Sequence, residues 1–194
     1  MSSPKQRVAT LALPAVFAAL IAAGAFMIVP MPGVPVPLVL QNMLAVLAGL
    51  LLGPWKGCLS VLLFLMLGAL GFPVFSGGHG GLAWLAGPTG GYLAAYPVAA
   101  FVGGFISKGS GTRPRTALRT SLATVLAFTI ILCLGAARLM SYKSISWIAA
   151  LSVGILPFIL GDSVKAVLAA LIGIRLGPFV DRVMAQADES FTES

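Results

Sequence analysis

Charge is what this chain has least of. Only 9% of its 194 residues are Asp, Glu, Lys or Arg, and only five are acidic. A soluble domain carries about 25% charged residues. With 59% hydrophobic residues and a mean hydropathy of +1.04, too little polar surface remains to cover a soluble fold of this size, which leaves an all-α integral membrane protein. Histidine occurs once, at His79, and the two cysteines, Cys58 and Cys133, sit in apolar runs with no CxxC. That pattern argues against a metal cluster and against a disulfide framework. No G-x-x-x-x-G-K-[ST] segment is present, so the chain is not its own ATPase by the usual phosphate loop.

What is present is a succession of apolar runs. A bilayer core needs about 20 apolar residues per helix. Val8–Val29 meets that and exceeds the ~7–15 residues of a signal-peptide core, so it is read as a retained first span. "PMPGVPVP" at 30–37 holds four prolines and reads as an extended connector. Further spans are expected at 38–53, 58–72, 89–107, 120–139 and 157–176, giving six in a single transmembrane domain. The stretch 146–176 is too long for one upright helix, and Pro157 divides it into a short external segment at 146–156 and the sixth span. Residues 181–194 form a polar tail expected to fray.

Six spans put both termini on one side. With the N-terminus inside, Lys5, Arg7, Lys56, Lys108, Arg113, Arg115, Arg119, Arg175 and Arg182 are cytoplasmic. Only Arg138 and Lys143 fall outside, and Lys165 lies within a span. The net charge of +7 therefore reports orientation by the positive-inside rule and gives no reason to invoke nucleic acid.

"GDSVK" at 161–165 places Asp162 and Lys165 inside the sixth span. Residues i and i+3 share a helix face. A charge at membrane depth costs at least ~2.5–3.5 kcal/mol on insertion scales, so such residues turn toward a partner or a wet cavity. One reading is a self-satisfied ion pair that pins helix packing. The other is the polar corner of a ligand pocket near the external mouth. The glycine-rich loop "PVFSGGHGGLAWLAGPTGGY" at 73–92 lies on the same side. Irregular backbone at membrane depth is tolerated where it is buried or lines a cavity, so the loop reads as a plug or lid. His79 in it is either a loop hydrogen-bonder or a ligand contact. Gln41 and Asn42 open the second span at the same level. Either amide could glue helices, and a pocket contact is favoured for Gln41. Gly78, Trp84 and Tyr92 complete the expected ligand-binding set. Ser76 near His79 hints at an intramembrane hydrolase, but a flexible loop is a poor holder for a nucleophile and base. The first helix carries a small-residue stripe, Ala15, Ala19 and Ala23, with Ala18 and Ala22 on an adjacent row. Such a stripe permits close helix approach, either internally or as a docking face.

The segments "SGGHGGLAWLAGPTGGY", "LPFILGDSVKAVLAALI" and "PVPLVLQNMLAVLAGLLLGPWKG", with the alanine-rich first helix, resemble the BioY family, the biotin-binding S components of energy-coupling factor (ECF) vitamin transporters. The resemblance spans nearly the whole chain. It implies six transmembrane helices in the bacterial or archaeal cytoplasmic membrane and a biotin pocket near the external face, with no cofactor. It also implies partners, a T component docking on Ala15, Ala19 and Ala23 and two cytoplasmic ATPases. Asp162 and Lys165 would carry the polar ligand contacts, with Lys165 given to the biotin carboxylate and Asp162 to a ureido N–H, the reverse neighbourhood staying open. Two other functions stay open beside it. One is a stand-alone secondary transporter, proton-linked through Asp162; the other is the hydrolase.

Overall fold

The computed structural model describes residues 4–29, 36–108 and 115–190, with side chains described from Ala12 to Gln186 within those limits. Eight α-helices are described: α1 (Pro4–Ala23), α2 (Gln41–Leu52), α3 (Pro54–Ala69), α4 (Leu82–Ala86), α5 (Gly90–Lys108), α6 (Ala117–Lys143), α7 (Trp147–Gly154) and α8 (Leu156–Ser190). A 3-10 turn at Gly24–Phe26 ends α1. Beyond it, strands β1 (Ile28–Val29) and β2 (Leu38–Val39) pair antiparallel, Ile28 opposite Val39. Most of the proline-rich connector, residues 30–35, lies outside the described residues.

The short second helix is the centre of the bundle. Every residue of α2 except Leu44 is buried, and α1, α3, α5 and α8 all pack on it. A helix that is apolar all round belongs in a core, and twelve residues suffice because α2 meets its neighbours rather than lipid. Small residues set the spacing. A Cβ on Gly49 would collide with the Ala100 backbone of α5, and one on Gly104 would lie 2.6 Å from the Gly53 backbone. Where lipid tails are as apolar as leucine, such backbone approach is what holds helices together. A single residue, Gly53 at φ 85°, separates α2 from α3, a left-handed conformation suited to glycine.

The outer helices show the opposite pattern. Leu160, Val164, Val167, Leu168 and Leu171 on α8 are all exposed, an apolar belt that lipid covers and water would not. The helices Gly90–Lys108, Ala117–Lys143 and Leu156–Gln186 are long and apolar enough to cross a membrane, and Ala12–Phe26, Gln41–Leu52 and Pro54–Ala69 are shorter apolar helices.

Several boundaries differ from those read in the sequence. The second helix starts at Gln41 rather than 38, because Leu38 and Val39 are taken by the strand pair. The glycine-rich loop contains a helical turn, α4. The expected external segment is α7, capped by Ser146, whose side chain accepts from Ala149 N. The last helix does not stop at 176. It runs through Pro178 to Ser190, so the stretch expected to fray is helical up to that residue. Residues 191–194 lie outside the described residues.

Candidate functional site

Helix α8 begins directly after α7, with Pro157 in its first turn, where proline's fixed φ and missing N–H do no harm. Two turns on, Asp162 and Lys165 face inward, 3% and 8% exposed. Lys165 Nζ lies 2.5 Å from Asp162 Oδ1. It also donates to Asn42 Oδ1 at 2.8 Å and to the Val39 carbonyl at 2.9 Å. Asn42 Nδ2 in turn donates to Asp162 Oδ1 at 3.0 Å. An ammonium has three N–H donors, and each has an acceptor here. The carboxylate is different. Asp162 Oδ1 carries two bonds, while Asp162 Oδ2 is buried with no partner among the described residues. A buried polar atom left unsatisfied costs about 1–3 kcal/mol, more when charged, and its presence in a native site calls for a reason.

An open depression of ≈ 420 Å³ adjoins the cluster, lined by the strand residues, Met27, Leu40 and Lys165. Its walls are apolar apart from the lysine, the composition of a small-molecule site.

The loop residues form a second group. Phe75 is fully buried and meets Phe64 edge-on at 5.6 Å. Phe75 and His79 exchange backbone hydrogen bonds of 2.8 and 3.3 Å around a tight turn, in which Gly77 and Gly78 adopt φ 80° and 74°. His79 stacks on Trp84 at 4.0 Å. Its Nδ1 lies 3.0 Å from the backbone oxygen of Ser76, so no Ser–His hydroxyl pair forms. The indole N–H of Trp84 is buried without a partner among the described residues. Arg138 Nη2 donates to the Ala86 carbonyl, pinning the end of α4 to α6. No hydrogen bond among the described residues joins this group to the Asp162–Lys165 cluster.

Gln41 does not join that cluster. Its Nε2 donates to the Val74 carbonyl at 2.8 Å and to Ile21 O at 3.2 Å, clamping the loop to the end of α1. Tyr92 donates to the Gly154 carbonyl at 2.6 Å, closing the α7 end over α5. The amide that meets both charges is Asn42, the neighbour of the favoured one. Adjacent residues on a helix point about 100° apart, so one faces α1 and the loop while the other faces α8. Beyond these two amides α2 is apolar throughout, which leaves no amphipathic phase to tell them apart.

The sequence model of the BioY family matches residues 1–182. This chain belongs to the BioY family. A probable biotin transporter BioY of Pyrococcus horikoshii is 43% identical over 164 residues, covering 84% of this chain and 93% of the relative. The biotin transporter BioY of Rhizobium etli is 37% identical over 169 residues, covering 84% and 90%. Among solved structures, the S component for biotin from an ECF-type ABC transporter superposes with a TM-score of 0.81 at 35% identity, covering 91% of this chain and 94% of that one. This chain is therefore an all-α membrane protein of the ECF S-component type, and a transporter component rather than an enzyme. The hydrolase reading of Ser76 and His79 falls with that.

Proposed function

We propose that this chain binds biotin from the external side of the cytoplasmic membrane and carries it inward as the substrate-binding subunit of an ECF transporter, with a T component and two cytoplasmic ATPases as partners. The observation that supports this reading most is the buried Asp162 Oδ2, without a partner among the described residues, beside a fully bonded Lys165. Biotin offers two ureido N–H donors at one end and a carboxylate at the end of an apolar chain. A buried carboxylate oxygen in want of a donor suits the ureido ring. Lys165, whose three donors are engaged, suits a positioning role for Asp162 better than capture of the ligand carboxylate, which shifts the assignment expected from the residues alone. His79, Trp84 and Gly78 belong in this reading to the lid, and Tyr92 to the α5–α7 contact, rather than to the cluster.

Six spans with both termini cytoplasmic follow from the basic-residue asymmetry. External cysteine labelling is expected at Ser141 and not at Ser110 in a background lacking Cys58 and Cys133. Partner docking falls to Ala15, Ala19 and Ala23, which are exposed while Ala18 is buried, so α1 offers its outer face for close approach. The deciding experiment is native mass spectrometry of gently purified protein. Stoichiometric bound biotin is expected, and protein that neither carries nor takes up biotin would overturn the reading. Uptake that stops with a protonophore and needs no partner would replace the ECF mode by a stand-alone carrier.

A further inference from the structure

The helices that carry the polar cluster are tied a second time at their other ends. Arg115, two residues before α6, is 6% exposed along its side chain. Its Nε lies 2.6 Å from Asp181 Oδ2 and its Nη2 donates to Asp181 Oδ1 at 3.1 Å, a bidentate pair. The same guanidinium donates to the carbonyls of Leu50 and Leu51, which a helix end leaves without intrahelical partners, and to Ser107 Oγ at 3.3 Å. Lys108 adds a bond to Asp181 Oδ1 at 2.9 Å. One cation therefore joins the end of α2, the end of α5 and the far part of α8.

Between the two ties the α2–α8 seam is apolar and close. There a Cβ on Gly173 would lie 3.4 Å from Leu50. One on Gly177 would lie 2.9 Å from Arg115 itself. Asn42 and Leu51 are nine residues apart, roughly 14 Å along α2 at 1.5 Å per residue. Neither end of so short a helix moves alone, and α3 begins one residue after it. The polar cluster is thus one end of a two-point attachment. Tilting α8 away at the Asp181 end displaces Asp162 and Lys165 relative to Asn42, and their bonds of 2.5–3.0 Å tolerate little displacement.

We propose that the Arg115–Asp181 pair is a latch that holds the α2–α8 seam shut and so sets how long the pocket at the other end keeps its ligand. This rests on the biotin-binding reading above. Asp181 is the residue to test, because Arg115 also caps α2. Asp181→Asn keeps shape and removes the charge. Biotin is expected to leave the purified variant at least about fivefold faster, the lower range of coupling between sites, with a smaller effect for Lys108→Gln. A second readout needs no ligand. With Cys58 and Cys133 replaced by serine, spin labels at Trp55 and Phe179, 77% and 59% exposed, report the width of the latch end. Asp181→Asn is expected to lengthen or broaden that distance distribution. An unchanged distribution removes the latch. A broadened distribution with parental dissociation removes its link to the pocket. If the parent itself holds no biotin, the functional reading fails and the spin-label arm alone decides the latch.

Discussion

Asn42 stands between Asp162 and Lys165 of α8, accepting from the lysine with its side-chain oxygen at 2.8 Å and donating to the carboxylate with its nitrogen at 3.0 Å. Asp162 and Lys165 pair along their own helix, and Asn42 makes that pair a contact between helices. It orients the carboxylate by occupying Oδ1, so that Oδ2 is the oxygen left without a partner among the described residues.

Asn42→Ala removes both bonds without changing a charge. Each is a hydrogen bond to an ionised group, worth about 1.5–3 kcal/mol. Biotin affinity is expected to fall roughly 10–150-fold, measured by titration calorimetry on purified protein. Gln41→Ala, which loosens the loop clamp instead, is expected to raise protease sensitivity near Val74 more than it lowers affinity. Parental affinity in Asn42→Ala would separate the amide from the pocket.

The charge pair itself gives a double-variant prediction. Breaking a buried pair by removing one partner is strongly destabilising, by about 3–5 kcal/mol, whereas replacing both with apolar groups of similar volume is often neutral. Asp162→Leu and Lys165→Met alone are each expected to lower thermal stability. Combined, they should regain most of it. None of the three should bind biotin. A double variant that recovers stability and also binds would make the pair a packing device only.

Much of this was legible in the residues, and the limits have a physical cause. Charges are rare in an apolar chain, so Asp162 and Lys165 stood out, and their i, i+3 spacing fixed a shared face on any helix containing them. The helix that holds their partner gave no such signal. It is apolar on every side because it is central, so nothing in it marks which way Asn42 or Gln41 points. The helical turn inside the glycine-rich loop was hidden by its composition, since five residues are too few for a period to emerge. The continuation of α8 past Pro178 ran against the usual reading of proline as a helix terminator.

The loop's seat is testable apart from the charges. Gly68 has no room for a side chain, because a Cβ there would overlap the Phe75 ring. Phe75 is the buried foot of the turn that carries His79. Gly68→Ala is expected to lower stability by about 1–3 kcal/mol, the usual range for overpacking, read as an earlier thermal transition in detergent. With Trp55 and Trp147 replaced by phenylalanine, quenching of the remaining Trp84 fluorescence by acrylamide should rise as the stack with His79 loosens. Trimming the ring with Phe75→Leu in the same chain should restore part of the stability. An unchanged transition and unchanged quenching would mean that the loop is seated elsewhere.

The last prediction separates binding from transport. Ala15, Ala19 and Ala23 face outward from α1, while Ala18 and Ile21 on the same helix are buried against the bundle. The polar pocket groups lie on α2 and α8, and the depression beside them is walled by the strand pair beyond the end of α1, so a bulky group in the middle of the outer face of α1 has neither to displace. Small residues permit helix approach at backbone distance, and in lipid that approach supplies much of the association energy. Ala19→Trp is therefore expected to insert, to fold and to bind biotin at parental affinity. Accumulation of radiolabelled biotin in cells should fall nearly to background, and co-purification of a T component should fall with it. Ala22→Trp, on the half-buried row, is expected to impair stability and binding as well, which distinguishes the two faces. Normal uptake by a stably inserted Ala19→Trp protein would remove the docking role. Lost biotin binding in that variant would return the stripe to internal packing, because only a face pressed against the bundle transmits such a change to α2.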